Sequence, residues 1–392
     1  MPSFTRRDAL RAVPALGLGI GLAGCLGSDD DEFPVSRAWH GRPREPSSVA
    51  SRHDGTLVAG SFRPFADAPL VAGIDDQTGE RQWSVTVPKG SKSPIGTADG
   101  RAYAYAESGF VVAVDTATGE ELWRHSVGQI TRADPGVTEF APLATEDRVV
   151  VPISGTEEDV VDRIHVLDAA SGDEQFIHRV PSSLSGAPAI AGDRILVPTV
   201  SGRLFALDAD GEVVWERPTT GAPSAVAVGP ADEVAAVGTP AERLLALDTA
   251  TDEVRWRGQL QNTVFARPLV TDSRVYVGGA DFVLRAFDRE TGTELWRDEL
   301  LAPVTHGPFP VGDRLVTLAC GHHRVRGDAG ELPFGPTVLS VHERDGTRVR
   351  SVRFEGYVDG GDVEWLSVVD GDVYLGQAFG LTKLSPKVVA DV

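Results

Sequence analysis

The chain has 392 residues, 41% of them hydrophobic, with 43 Gly and 26 Pro, a composition that suits many short strands joined by tight turns and excludes long helices and disorder. Asp and Glu total 57 against 37 Lys and Arg, a formal charge of -20, and a surface of that sign repels nucleic acid.

The first residues read Thr5-Arg6-Arg7-Asp8-Ala9-Leu10, then an apolar run from Val13 to Leu22 too short to span a bilayer, then Leu22-Ala23-Gly24-Cys25. This resembles a twin-arginine export signal ending in a lipobox, with Ala9 where Phe is usual. The resemblance implies that Arg6 and Arg7 address the folded protein for export, that residues 1–24 are cleaved as a signal peptide, and that the Cys25 thiol carries a lipid. Residues 25–33, with Ser28-Asp29-Asp30-Asp31-Glu32, then form an acidic, solvated tether to the extracellular face of the cell membrane. With Cys25 committed, Cys320 is the only cysteine left, so no intramolecular disulfide can form.

From residue 74 onward an apolar-x-Asp-x-x-Thr-Gly-Glu-x-x-Trp unit recurs. Its copies run from Ile74-Asp75 to Trp83, Val114-Asp115 to Trp123, Leu167-Asp168 to Phe176, Leu207-Asp208 to Trp215, Leu247-Asp248 to Trp256, Phe287-Asp288 to Trp296 and, degenerately, Val341-His342 to Arg350. The aspartates return about every forty residues, the period of a propeller blade. Each unit holds four short stretches of alternating apolar and polar residues, as in Arg267-Pro268-Leu269-Val270, Arg274 to Gly278, Leu284 to Asp288 and Glu294 to Arg297. In the turn, Asp offers a carboxylate to backbone amides and Gly supplies a positive φ, while Trp on the outermost strand presents an apolar face to the next blade.

Seven complete units occupy about Ser48 to Phe354, and three further strands are expected around Leu366-Ser367-Val368, Val373-Tyr374-Leu375 and Gly380-Leu381-Thr382. That eighth unit lacks its outer strand. Val35-Ser36-Arg37-Ala38-Trp39 carries the missing Trp, so residues 34–392 are expected to form a single all-β, eight-bladed β-propeller of four-stranded antiparallel blades, closed by an N-terminal strand.

These repeats resemble those of PQQ-like propellers, found in quinoprotein dehydrogenases and in the propeller lipoprotein of the bacterial outer-membrane assembly machine. The departures are local: Asp210-Gly211 shortens one turn, Asp252 stands at a Gly position, and Phe176 and Arg350 replace Trp. The acidic, lysine-poor composition, with Lys89, Lys92, Lys383 and Lys387 the only lysines, resembles that of proteins from salt-loving archaea.

Loops between second and third strands and connections between blades share one face of such a disc. The expanded segments Ser61 to Pro69, Gly128 to Phe140, Ser154 to Asp162, Cys320 to Pro336 and Glu355 to Glu364 all belong to it, while the turns on the other face stay short. At the channel mouth on this face the first-strand residues Lys92, Phe140, Arg267, His306, Glu364 and Trp365 supply rings and mixed charge suited to a planar or sugar-like ligand.

The dehydrogenase resemblance implies PQQ with calcium, gripped by a vicinal cysteine pair, a stacking Trp, amide and carboxylate ligands and an Asp base. This chain has no adjacent cysteines, and Asn262 is its one asparagine, so no cofactor is expected and a quinoprotein-like redox enzyme is the alternative reading. A second alternative is a metal site from Cys320, His322 and His323, against which stand the consecutive histidines and the expected position of His342 on the opposite face. The favoured expectation is a monomeric, non-catalytic binding scaffold, anchored by its lipid, that offers its long-loop face to a protein or small molecule.

Overall fold

In the computed structural model, the residues described are 37–41, 48–60, 69–87, 95–106, 108–128, 140–153, 161–239, 243–264, 266–320, 336–354, 363–377 and 380–390. They form eight four-stranded antiparallel sheets, the eight blades of a β-propeller. Blades 1 to 7 each use four consecutive strands, beginning with Ser48–His53 and ending with Arg348–Phe354. The innermost strands of successive blades touch from blade 1 to blade 3 and from blade 4 to blade 8, and that of blade 8 touches that of blade 1. The only helical segments among the described residues are the short 3-10 turns Pro230–Asp232 and Pro386–Val388.

Blade 8 is built from both ends of the propeller. Val363–Val369, Asp372–Gln377 and Gly380–Leu384 supply its inner three strands, and Arg37–His40 pairs antiparallel with Gly380–Leu384 as the outermost. The expected closure is therefore the observed one; Val35 and Ser36, part of that expectation, lie outside the described residues. The Trp39 indole is buried and its Nε1–H donates to the Asp76 carbonyl of blade 1 at 2.8 Å.

The repeat motif works through two contacts. Within a turn, Asp75 Oδ1 accepts from the Gln77 and Thr78 amides at 2.9 and 2.8 Å, and Asp115, Asp168, Asp248 and Asp288 repeat the pattern. The Thr78 amide, with those beside it, holds the Asp75 carboxyl below the ordinary value. Across most seams the outermost-strand Trp lies against the turn Gly of the next blade, and in all but Trp83, among the described residues, its indole N–H reaches a carbonyl there. Trp123 donates to Ala169 at 3.1 Å, Trp215 to Thr249 at 3.1 Å and Trp296 to Arg344 at 2.9 Å.

Glycine is required in these turns for two reasons at once. Gly292 has φ +70°, and a Cβ there would sit 2.6 Å from Trp256 Cδ2. Gly292→Ala is expected to cost about 2–4 kcal/mol, the sum of left-handed strain and overpacking, read as a lowered denaturation midpoint. An unchanged midpoint would mean that the indole has room to retreat.

The departures from the repeat are absorbed locally. Asp252, at a Gly position, adopts φ 63°. Phe176 keeps the stack on Gly211 but brings no indole N–H, and His178 Nδ1 instead meets the Gly211 carbonyl at 3.0 Å. In blade 7 the motif sits one residue later than the sequence suggests. Glu343, not His342, faces Arg314 as Asp168 faces Arg148, because the Glu343–Thr347 turn is one residue shorter, like that of Asp208–Glu212. His342 is thereby buried in the third strand, where its Nε2 lies 2.7 Å from Asp298 Oδ2 of blade 6. Where Arg350 replaces Trp, the C-terminal turn fills the seam: Val388 and Val389 pack on Leu339, Val373 and Leu384.

Candidate functional site

Antiparallel order puts the start of every first strand and the end of every second strand on one face of the ring, and the expanded segments spring from those ends. Most of their residues lie outside the described set, as do Lys92, His322 and His323, and the Glu364 side chain. Four of the expected mouth residues are described.

Two of these four meet. The rings of His306, on the first strand of blade 7, and Trp365, on the first strand of blade 8, lie edge to face with centroids 4.6 Å apart. His306 is buried, its Nδ1 3.0 Å from Thr305 Oγ1, while Trp365 stays half-buried. An indole braced by a fixed imidazole is a rigid platform, and ordering a ligand ring on it costs little side-chain entropy.

Phe140 is half-buried and packs outward on the seam cluster of blades 3 and 4, with Val150, Ile164 and Ile195, so it stiffens the wall rather than joining His306. Arg267 is reached by solvent, yet the protein around it holds its guanidinium below the ordinary arginine value through desolvation. Both properties fit a side chain in the hollow of the ring, and among the described residues no carboxylate pairs with it.

Cys320 is buried at the end of the second strand of blade 7, its amide bonded to the Pro303 carbonyl and its Sγ 3.5 Å from Thr337 Oγ1. Those neighbours are a hydroxyl and carbonyls, a setting for a packed thiol rather than an exposed thiolate. The sequence holds no vicinal cysteines, and Trp365 meets the His306 ring nearly at right angles, at 68°.

Two grooves bordered by described residues lie on the opposite, short-turn face. One of about 610 Å³, between blades 4 and 5, is bordered by Asp208, Asp232, Asp248, Arg194 and Arg255. Another of about 530 Å³, between blades 7 and 8, is bordered by Asp313, Arg314, Glu343 and Asp372. Sequence reading assigned nothing to either, because solvated carboxylates in so acidic a chain carry no distinguishing signal. The same is true of His125, His165 and Glu174, whose ligand atoms lie within 4.8 Å of one another although they are spread over fifty positions of sequence.

Compared with known proteins, residues 67–229 and 224–325 match the family described as PQQ_2, outer membrane protein assembly factor BamB. The outer membrane protein assembly factor BamB of Bordetella pertussis is 30% identical over 116 residues, 29% of this chain and 30% of that protein, so the aligned part spans less than a third of the relative. Among solved structures, BamB from Moraxella catarrhalis superposes with a TM-score of 0.63 at 17% identity, covering 90% of this chain and 100% of that one. The computationally designed Ika8 protein gives 0.68 at 17% identity, covering 89% of this chain and 99% of its own. At such identities the likeness is one of fold.

Proposed function

This chain belongs to the PQQ_2 family, that of the outer membrane protein assembly factor BamB, and on that premise we propose that it is a non-catalytic scaffold that binds a partner on its long-loop face. In this reading a lipid on Cys25 and the acidic tether hold the propeller outside the cell, and the His306–Trp365 platform with Arg267 forms the inner edge of the contact. The observation that carries it is the segregation of length: all five expanded segments leave the ring on one face, while the Asp and Gly turns on the other are short and self-satisfied. The description of the relatives as assembly factors supports a scaffold in general. Their outer-membrane assembly role is left with them, since no residue of this chain specifies such a membrane.

A photo-crosslinking side chain at position 365 or 267 is expected to trap one discrete partner in solubilised membranes, and the same group at Ala117 or Thr251 is expected to trap none. Purified protein given PQQ and Ca²⁺ is expected to show neither a bound-cofactor absorbance nor dye reduction. Crosslinking confined to the short-turn face, or quinone-dependent dye reduction, would sink the reading.

A further inference from the structure

The seam between blades 2 and 3 differs from its neighbours. At the position two residues after the seam Trp, and at the position three residues before the turn Asp of the next blade, the preceding seam carries Val85 and Val112. The two seams that follow pair His178 with Phe205 and Arg217 with Leu245. In the blade 2–3 seam both positions are imidazoles, His125 and His165. A carboxylate joins them: Glu174, on the outermost strand of blade 3, places Oε2 3.1 Å from His165 Nδ1 and 3.5 Å from His125 Nε2.

We propose that His125, His165 and Glu174 bind one first-row divalent cation, Zn²⁺ foremost, as a clamp between blades 2 and 3. Two imidazole nitrogens and one carboxylate oxygen form a borderline donor set that suits zinc and disfavours the all-oxygen preference of Ca²⁺ and Mg²⁺. Around a tetrahedral ion with bonds of about 2.0–2.1 Å, ligand atoms stand about 3.3–3.4 Å apart. Two edges of that figure, at 3.1 and 3.5 Å, are already in place. The remaining histidine–histidine edge lies within 4.8 Å, so a small turn of the half-exposed His125 ring completes the triangle.

The histidine from blade 3 is prepared for this role. His165 is buried, and its Nε2 has no partner among the described residues, so the ring meets polar atoms only through the Nδ1 that faces Glu174. The backbone fixes all three residues. His165 is paired through its strand with Ile177, His125 with Val111, and Glu174 with Leu167, the last just beyond a β-bulge between Val166 and Leu167. Glu174 and His125 are partly exposed, so water reaches the fourth position. An ion there ties the outermost strand of blade 2 to the third and outermost strands of blade 3, and stabilises the ring by mass action.

The test uses the full chain, purified without a histidine tag, titrated with Zn²⁺ and separately with Co²⁺. One Zn²⁺ per chain, a visible Co²⁺ band of a site with fewer than six ligands, and a melting temperature that rises with Zn²⁺ are expected, with excess Mg²⁺ failing to compete. His125→Gln and Glu174→Gln, both at partly exposed positions, should keep the apo stability of the parent and weaken Zn²⁺ binding by more than about 100-fold, beyond the loss typical of an outer-shell partner. Cys320→Ser should leave binding unchanged, which separates this site from the loop that carries His322 and His323. Absence of Zn²⁺ binding, full binding by both variants, or loss only in Cys320→Ser overturns the proposal.

Discussion

Replacing Trp39 by Ala is expected to lower the stability of the propeller by about 3–5 kcal/mol, the range for emptying a buried large aromatic site. The indole is 9% exposed, packs on Leu57, Ile74 and Leu381, and covers Gly79 so closely that a Cβ there would lie 2.5 Å from its ring. It also donates to the Asp76 carbonyl, which the variant leaves with only the long contact from Lys383 Nζ at 3.5 Å. Blades 1 to 6 keep their Trp or Phe on a strand covalently continuous with the three beside it. Only here does the welding residue arrive on a strand joined to its sheet by hydrogen bonds alone, with His40 paired to Thr382 and Arg37 to Leu384. Loss of the indole therefore weakens ring closure itself and exposes the edge of Gly380–Leu384. Urea denaturation and amide exchange on residues 380–384 provide the measurement. Trp39→Phe, which keeps the stack and forfeits the N–H, should recover all but about 1 kcal/mol. A Trp39→Ala protein with the parent's midpoint and unchanged exchange would show that the N-terminal strand does not close the ring.

What the sequence revealed, and what it hid, follows from the range of the interactions. The Asp-x-x-Thr-Gly turn is written within five residues, since Asp75 bonds amides two and three positions on, so each copy could be read by eye. The Trp–Gly stack spans about one blade but repeats, and repetition substitutes for proximity. The register of blade 7 was misjudged by one residue because the shortened turn moved Glu343 into the Asp place, and length alone could not say where the residue had been lost. At the channel mouth, His306 and Trp365 were legible as rings on adjacent first strands, and they meet; Phe140 has the same strand position, but its ring turns into a seam. Unrepeated polar contacts between distant segments left no trace. His125 and His165 are forty positions apart, and in a chain with 57 carboxylates nothing marks Glu174 as the one that faces them.

The charged network that locks the closing seam is the strongest such case, and Asp76→Asn is its probe. Asp76 Oδ1 accepts from Lys383 Nζ at 2.7 Å and from the Tyr374 hydroxyl at 2.8 Å, and its Oδ2 accepts from Arg52 Nη1 at 2.9 Å. Asp372 shares both cations, at 2.6 Å to Arg52 and 3.0 Å to Lys383, and the more exposed Asp370 adds a third carboxylate at 3.2 Å from Arg52 Nε. Lys383 is among the buried charged residues, so removing the Asp76 charge leaves an ammonium that is both desolvated and half-compensated. Breaking a buried pair in this way is expected to cost about 3 kcal/mol at neutral pH. Burial alone would raise the Asp76 carboxyl, but Lys383, Tyr374 and Arg52 outweigh it and hold the group below its ordinary value. A carboxyl depressed on folding stabilises fully above its unfolded value of about 3.9, and that stability is lost as pH falls through the lower folded value. The gap between parent and Asp76→Asn should thus stay constant from pH 7 to about pH 5 and close progressively below about pH 3.9. Urea midpoints of the two proteins across that range decide the matter: a gap that persists unchanged at pH 2 would mean that Asp76 acts through packing, with no charge interaction across the seam.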